Sequence, residues 1–122
     1  MSEVQSGLEG VVAFATEIAE PDKEGSALRY RGVDVEELVG RVPYGHVWGL
    51  LVDGKFAPGL PPAEPHPLAI RSGAPRVDVQ SALAMLGPEW GFEPLIDISD
   101  EVARDQLARA SVMALSLSLI HI

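Results

Sequence analysis

The chain contains no cysteine, which excludes disulfides and thiolate chemistry and fits a reducing compartment. Basic residues are scarce. Nine lysines and arginines face 18 aspartates and glutamates, a formal charge of −9, and with no basic stripe to offset it this argues against nucleic acid or an anionic membrane as partner. No apolar run reaches the roughly 18 residues of a membrane span. The opening Met1-Ser2-Glu3-Val4-Gln5-Ser6 lacks the basic head and apolar centre of a signal peptide, so a cytoplasmic location is the default expectation. The three histidines, His46, His66 and His121, share no metal-ligand spacing, and Gly-rich phosphate loops, Gly-x-Ser-x-Gly and His-Glu-x-x-His are all missing. His46 reads as a partly packed surface residue and His66 as a solvated loop residue between prolines.

What is present is apolar: 47% of 122 residues, enough for a core and too much for general disorder. At this length the chain is one small domain or part of a larger one. Its organising stretch is Leu28-Arg29-Tyr30-Arg31-Gly32-Val33-Asp34-Val35-Glu36-Glu37-Leu38. Leu28 and Tyr30 alternate with Arg29 and Arg31 at the period of a half-buried strand. Gly32 then turns the chain into a helix that Asp34 caps, with Glu37 and a Val33–Leu38 staple in support and Gly40 as its stop.

Before it, residues 10–18 carry Val12, Phe14, Thr16 and Ile18 on alternate positions and read as a strand. Residues 20–25 form a turn, so strands 10–18 and 27–31 make a β-hairpin that must rest on something else. After Gly40 and Pro43 a second helix spans 44–53, with Val47, Leu50 and Leu51 on one face and Gly54 as its stop. Gly49 costs that helix ~1 kcal/mol against alanine. Six prolines between 57 and 75 forbid a long helix and predict an extended connection with one helical turn at 62–64. A third helix runs from Asp78, as cap, to Leu86, stopped by Gly87-Pro88. Trp90 and Phe92 follow in a loop and pack against helices. Ser99-Asp100-Glu101 opens a fourth helix with Ala103, Leu107, Ala110 and Ala114 inward and Arg104 and Arg109 off that stripe.

Tyr30-Arg31-Gly32, with Asp34, Leu38, Gly10-Val11, Thr16, Ile18, Leu50-Leu51 and Gly54, then Val79-Gln80-Ser81-Ala82-Leu83 and Arg109-Ala110-Ser111, resembles the N-terminal region of bacterial citrate synthases over residues 7 to 116. The proline-rich 57–75 departs from the commoner family pattern, in which a helix follows the glycine turn. By this resemblance the fold is mainly α, an N-terminal β-hairpin followed by helices, forming an incomplete part of the all-helical large domain of a cytoplasmic homodimer. The intact parent is implied to be an acyltransferase of the tricarboxylic acid cycle, joining acetyl-CoA to oxaloacetate and hydrolysing the thioester, with acetyl-CoA as substrate and no metal or other cofactor. The family's catalytic aspartate and two histidines, and the arginines that hold oxaloacetate, lie downstream of the matched region. No catalytic, cofactor-binding or metal residue is therefore assigned, and Arg29, Arg31, Arg71 and Arg76 remain only possible contacts for an acidic ligand. Two other readings stay open: a 2-methylcitrate synthase taking propionyl-CoA, and a noncatalytic helical interaction module.

Residues 117–122, Leu117-Ser118-Leu119-Ile120-His121-Ile122, resemble a translated transposase end used in sequencing libraries. They are read as a tail of adaptor origin following residues 1–116. On that reading the chain lacks catalytic residues, shows no turnover, and is partly folded or aggregates by itself.

Overall fold

The computed structural model describes residues 10–12, 14–22, 24–64 and 67–120, with 118–120 as backbone only. The chain divides into two compact units, Met1–Arg41 and Val42–Ile122.

In the first unit β1 (Ala19–Pro21), β2 (Leu28–Tyr30) and β3 (Val33–Asp34) form an antiparallel sheet in the order β1-β2-β3. Ala19 pairs with Tyr30 and Pro21 with Leu28, while Arg29 pairs with Asp34. The turn between β1 and β2 is closed by Asp22, whose N–H donates to the Ala27 carbonyl at 2.8 Å and whose carboxylate accepts from Ser26 Oγ at 2.6 Å. The hairpin is present, but its first strand is not 10–18. The pairing runs from Pro21 back to Ile18, whose carbonyl accepts from the Arg31 N–H at 2.8 Å, and upstream of it Val12 and Phe14 are 88% and 78% exposed. Thr16 Oγ1 also accepts from the Ile18 N–H at 3.2 Å, a local bond that competes with a ladder.

Arg31 (φ 46) and Gly32 (φ 84) both adopt left-handed backbone to bring β3 back onto β2. The Asp34 carboxylate then accepts from the Glu36 N–H at 2.9 Å and caps α1 (Val35–Leu38), as the sequence predicts. That helix is a single turn, extended again at Val39.

The second unit opens with α2 (Tyr44–Asp53), bounded as expected and ended by Gly54 in the left-handed region. Its buried residues are Trp48, Gly49 and Leu50, with Val47 and Leu51 half-buried. The connection contains no helical turn at 62–64. Glu64 there extends to Arg109 instead.

α3 (Pro75–Trp90) exceeds its predicted span at both ends. Pro75 occupies the first turn, where its missing N–H is not needed, so Asp78 lies one turn inside the helix and is not its cap. Gly87-Pro88 fails as a stop, because carrying the helix on to Trp90 places the indole against the core formed by Ala82, Leu86, Met113 and Leu117. That burial offsets the one backbone bond lost at Pro88. Gly91 (φ 68) ends the helix, and its N–H and that of Phe92 both donate to the Gly87 carbonyl.

After a 3-10 turn at Leu95–Asp97 comes α4 (Asp100–Ile120), whose first turn is capped by Ser99 Oγ accepting from the Val102 N–H at 3.3 Å. Its inward stripe is Ala108, Val112, Met113 and Leu117. The predicted stripe is rotated by one residue, and Leu107 is 53% exposed. Two neighbouring stripes of α4 are apolar, and the one carrying valine, methionine and leucine removes more area from water than the alanine-rich one. The helix runs unbroken through Ser116 and Leu117, and Leu117 is 1% exposed. Among the described residues no helix is long and apolar enough to cross a membrane.

Candidate functional site

The rotation of α4 decides where its arginines go. Arg104 heads the buried series at a helical spacing from Ala108 and Val112, so it faces α2 and the connection. Its Nε and Nη2 grip the Asp53 carboxylate at 2.9 and 2.7 Å, Nη2 also donates to the Gly59 carbonyl at 2.7 Å, and Nη1 reaches Asp105 at 3.1 Å. The guanidinium carbon lies 5.1 Å from the centre of the Trp48 ring. One planar fork thus joins a helix end, a loop carbonyl and an indole, a task lysine's point charge cannot do.

Arg109 repeats the arrangement one turn on. Its Nε and Nη2 donate to Glu64 at 2.6 and 3.1 Å, and its guanidinium stacks on Trp90 at 3.6 Å. Trp90 in turn meets Phe92 edge-on, with ring centres 5.8 Å apart.

Between these arginines and the connection lies an open groove of about 660 Å³, lined by Gly59, Leu60, Pro61, Ala63 and Ala108 among others. Arginine hydrogen bonds hold the carboxyl groups of Asp53 and Glu64 below the usual carboxylate range, and the Arg104 guanidinium is pushed further toward its charged form by Asp53. Each positive charge at the rim is already answered by a carboxylate. Among the described residues the groove offers mainly apolar surface, and its charged groups are engaged with one another.

The residues singled out in the sequence lie elsewhere. His46 is half-buried in α2, while His66 and His121 fall outside the described residues. Arg29 lies in β2 and Arg31 in the turn after it, while Arg71 and Arg76 are exposed on either side of the start of α3. Among the described residues no three histidine, cysteine or acidic groups converge as a metal site. What sequence reasoning missed is the pair Arg104 and Arg109. The signal was available in Arg104-x-x-x-Ala108-x-x-x-Val112, but reading the alanine stripe as inward placed both arginines outside.

A buried carboxylate was missed in the same way. Asp78 is 1% exposed and accepts from both the N–H and the Oγ of Ser72, at 2.8 and 2.7 Å. It ties the strand-like approach to α3 down onto the helix.

Two comparisons bear on identity. The family model described as citrate synthase, C-terminal domain, matches residues 7–67. Proteins named "Putative citrate synthase 2" from Mycobacterium bovis and from two strains of Mycobacterium tuberculosis, CDC 1551 and H37Rv, are each 72% identical over 111 residues. That stretch is 90% of this chain and 30% of each relative. With a half-helical architecture and a small antiparallel sheet of the kind the sequence predicts, the chain belongs to the citrate synthase family.

Proposed function

We propose that the whole protein to which this chain corresponds forms citrate, joining the methyl carbon of acetyl-CoA to the ketone carbon of oxaloacetate and hydrolysing the thioester. The observation that carries this reading is the 72% identity over 111 residues to mycobacterial proteins named as citrate synthases. In the same reading the protein is an acyltransferase of the tricarboxylic acid cycle, a cytoplasmic homodimer that needs no metal. The present chain contributes the sheet and first helices of a large domain over 1–116, and 117–122 are not native to it.

Catalysis needs groups positioned for proton transfer and for stabilising the developing oxyanion. The carboxylates and guanidiniums beside α4 are engaged with one another, and in this reading the chain by itself turns nothing over. The test is thiol release from acetyl-CoA with oxaloacetate, run on the 122-residue chain and on a full-length relative. Release by the relative and none by the chain supports the reading, and turnover by the chain refutes it. Running propionyl-CoA in parallel decides between citrate and 2-methylcitrate, since acyl-chain selection rests on a pocket these residues do not form.

A further inference from the structure

We propose that Ser72 is a phosphorylation site, recognised by a serine kinase through Arg71 and Arg76, and that its modification releases the 67–74 segment from Asp78 of α3. Such control is independent of which acyl donor the protein takes.

Access comes first. Residues 67–74 run without helix or strand, and Leu68 is the member of the segment that packs on the core. An exposed irregular segment can enter an enzyme's cleft without unfolding a helix. Ser72 and Gly73 are exposed, and a Cβ built on Gly73 would meet nothing within 4 Å, so the backbone beside the serine faces open space.

Charge then singles out this hydroxyl. Arg71 and Arg76 flank it, both are exposed, and neither joins an ion pair among the described residues. In a chain of charge −9 that is an uncommon setting. The other described serines lie inside α3 or α4 or stand beside acids, Ser26 bonded to Asp22 and Ser99 before Asp100 and Glu101, and Thr16 precedes Glu17.

The hydroxyl is also part of a latch. The Ser72 N–H and Oγ both donate to Asp78 Oδ1, at 2.8 and 2.7 Å, and Oγ accepts from the Ala74 N–H at 3.1 Å. In the transfer, the bond from the γ-phosphorus of a nucleoside triphosphate to its bridging oxygen breaks and the Oγ–P bond forms. The hydroxyl proton passes to the kinase's carboxylate base, and the nucleoside diphosphate leaves. Ser72 Oγ then has no proton to donate. A group carrying about −1.5 to −2 charges lies instead against a carboxylate that is 1% exposed. Like charges held so close, with little water between them, repel, so the segment lifts off Asp78. Arg76, four residues on, offers the phosphate a replacement partner.

The test treats the 122-residue chain with magnesium ATP and the catalytic subunit of a serine kinase that selects basic sequences. Mass spectrometry maps the phosphate, and amide exchange is followed before and after. Ser72 should carry at least about tenfold more phosphate than any other hydroxyl, and the double change Arg71→Gln, Arg76→Gln should cut that at least about tenfold. In the phosphorylated chain, exchange at Ser72 and Ala74 should quicken about tenfold or more, beyond the effect of Ser72→Ala, while residues 82–86 keep the parent's rate. A phosphatase should restore the slow exchange. No phosphate on Ser72, equal phosphate on Ser26, Ser99 or Thr16, or incorporation indifferent to the two arginines overturns the site. Phosphate on Ser72 with exchange there unchanged, or quickened equally throughout α3, overturns the release.

Discussion

Gly49 and Gly59 cross backbone to backbone. A Cβ added to Gly59 would lie 2.7 Å from Gly49 Cα and 2.8 Å from Trp48 Cε3, and one added to Gly49 would run into the Ala57 carbonyl oxygen. The crossing is fastened by the Gly59 N–H, which donates to the Gly45 carbonyl at 3.0 Å. On propensity alone Gly49→Ala should gain ~1 kcal/mol. Since both neighbours are backbone and cannot swing away, it should instead lose about 2 kcal/mol net by overpacking. Gly45→Ala is the control, because its Cβ meets nothing within 4 Å, and it should be neutral or gain up to ~1 kcal/mol. Denaturant melts of the two variants should move in opposite directions.

Arg104 holds the same crossing from the other side. Arg104→Met keeps the stem and loses the fork to Asp53, the bond to the Gly59 carbonyl and the contact with Trp48. The ion pair is about 30% exposed on each side, so its own share is limited to ~0.5–1 kcal/mol. The Gly59 carbonyl, left without this donor in a part-buried position, adds ~1 kcal/mol. A total of about 1.5–2 kcal/mol is expected. In a Trp90→Phe background the remaining indole should also shift its emission to longer wavelength. Arg104→Lys should restore little of either, because a single ammonium cannot serve the carboxylate and the carbonyl in one plane.

How much of this was legible in the sequence follows from the kind of signal each feature leaves. The α2 boundaries could be read because Pro43 and Gly54 act locally, and the Asp34 cap because its bond spans two residues. The Gly49–Gly59 crossing left only a glycine that looked costly. The ends of α3 were misplaced because Asp78 is a good cap residue whose carboxylate is used by Ser72 six positions earlier, and because Trp90 rewards a helix continued through Pro88. The groove rested on the phase of α4, which two competing apolar stripes made ambiguous.

Acid should loosen the α4 face. Asp53 and Glu64 have folded-state values lowered by their arginines. For a depressed carboxylate the added stability is present above its unfolded value and is lost as pH falls through the folded one. Stability should therefore be flat from about pH 7 to about pH 5 and decline from there toward about pH 3. Asp53→Asn should make the decline shallower, because the amide it introduces does not ionise. A variant whose melting temperature falls as steeply as the parent's over that range would remove Asp53 from the account.

Asp78→Ala should cost more than either surface pair. Its carboxylate is buried and serves the N–H and hydroxyl of Ser72, whose Oγ in turn accepts from the Ala74 N–H at 3.1 Å. Removing the acceptor leaves part-buried donors unanswered, at ~2–3 kcal/mol. Both bonds end on Oδ1, so Asp78→Asn keeps the accepting oxygen for both and should recover most of the loss. Faster amide exchange at Ser72 and Ala74 in the alanine variant, with the middle of α3 unchanged, is the local signature.

The last expectation concerns the whole chain. Among the described residues more large apolar side chains are exposed than buried, Leu95, Ile96 and Leu107 among them at 74%, 92% and 53%. The cluster between α3 and α4 has only Ala82, Leu86, Met113 and Leu117 at its centre. A fully buried leucine contributes ~1.5–3 kcal/mol, against the ~5–15 kcal/mol by which an ordinary domain is stable, so a handful of uncovered positions removes most of the margin. Thermal unfolding of the chain alone should accordingly be broad, with binding of a hydrophobic dye before the midpoint. Adding the portion of the relative that lies outside the match should sharpen the transition and suppress the dye signal. A steep, cooperative melt from a monomer without dye binding would mean that the α3–α4 core suffices by itself.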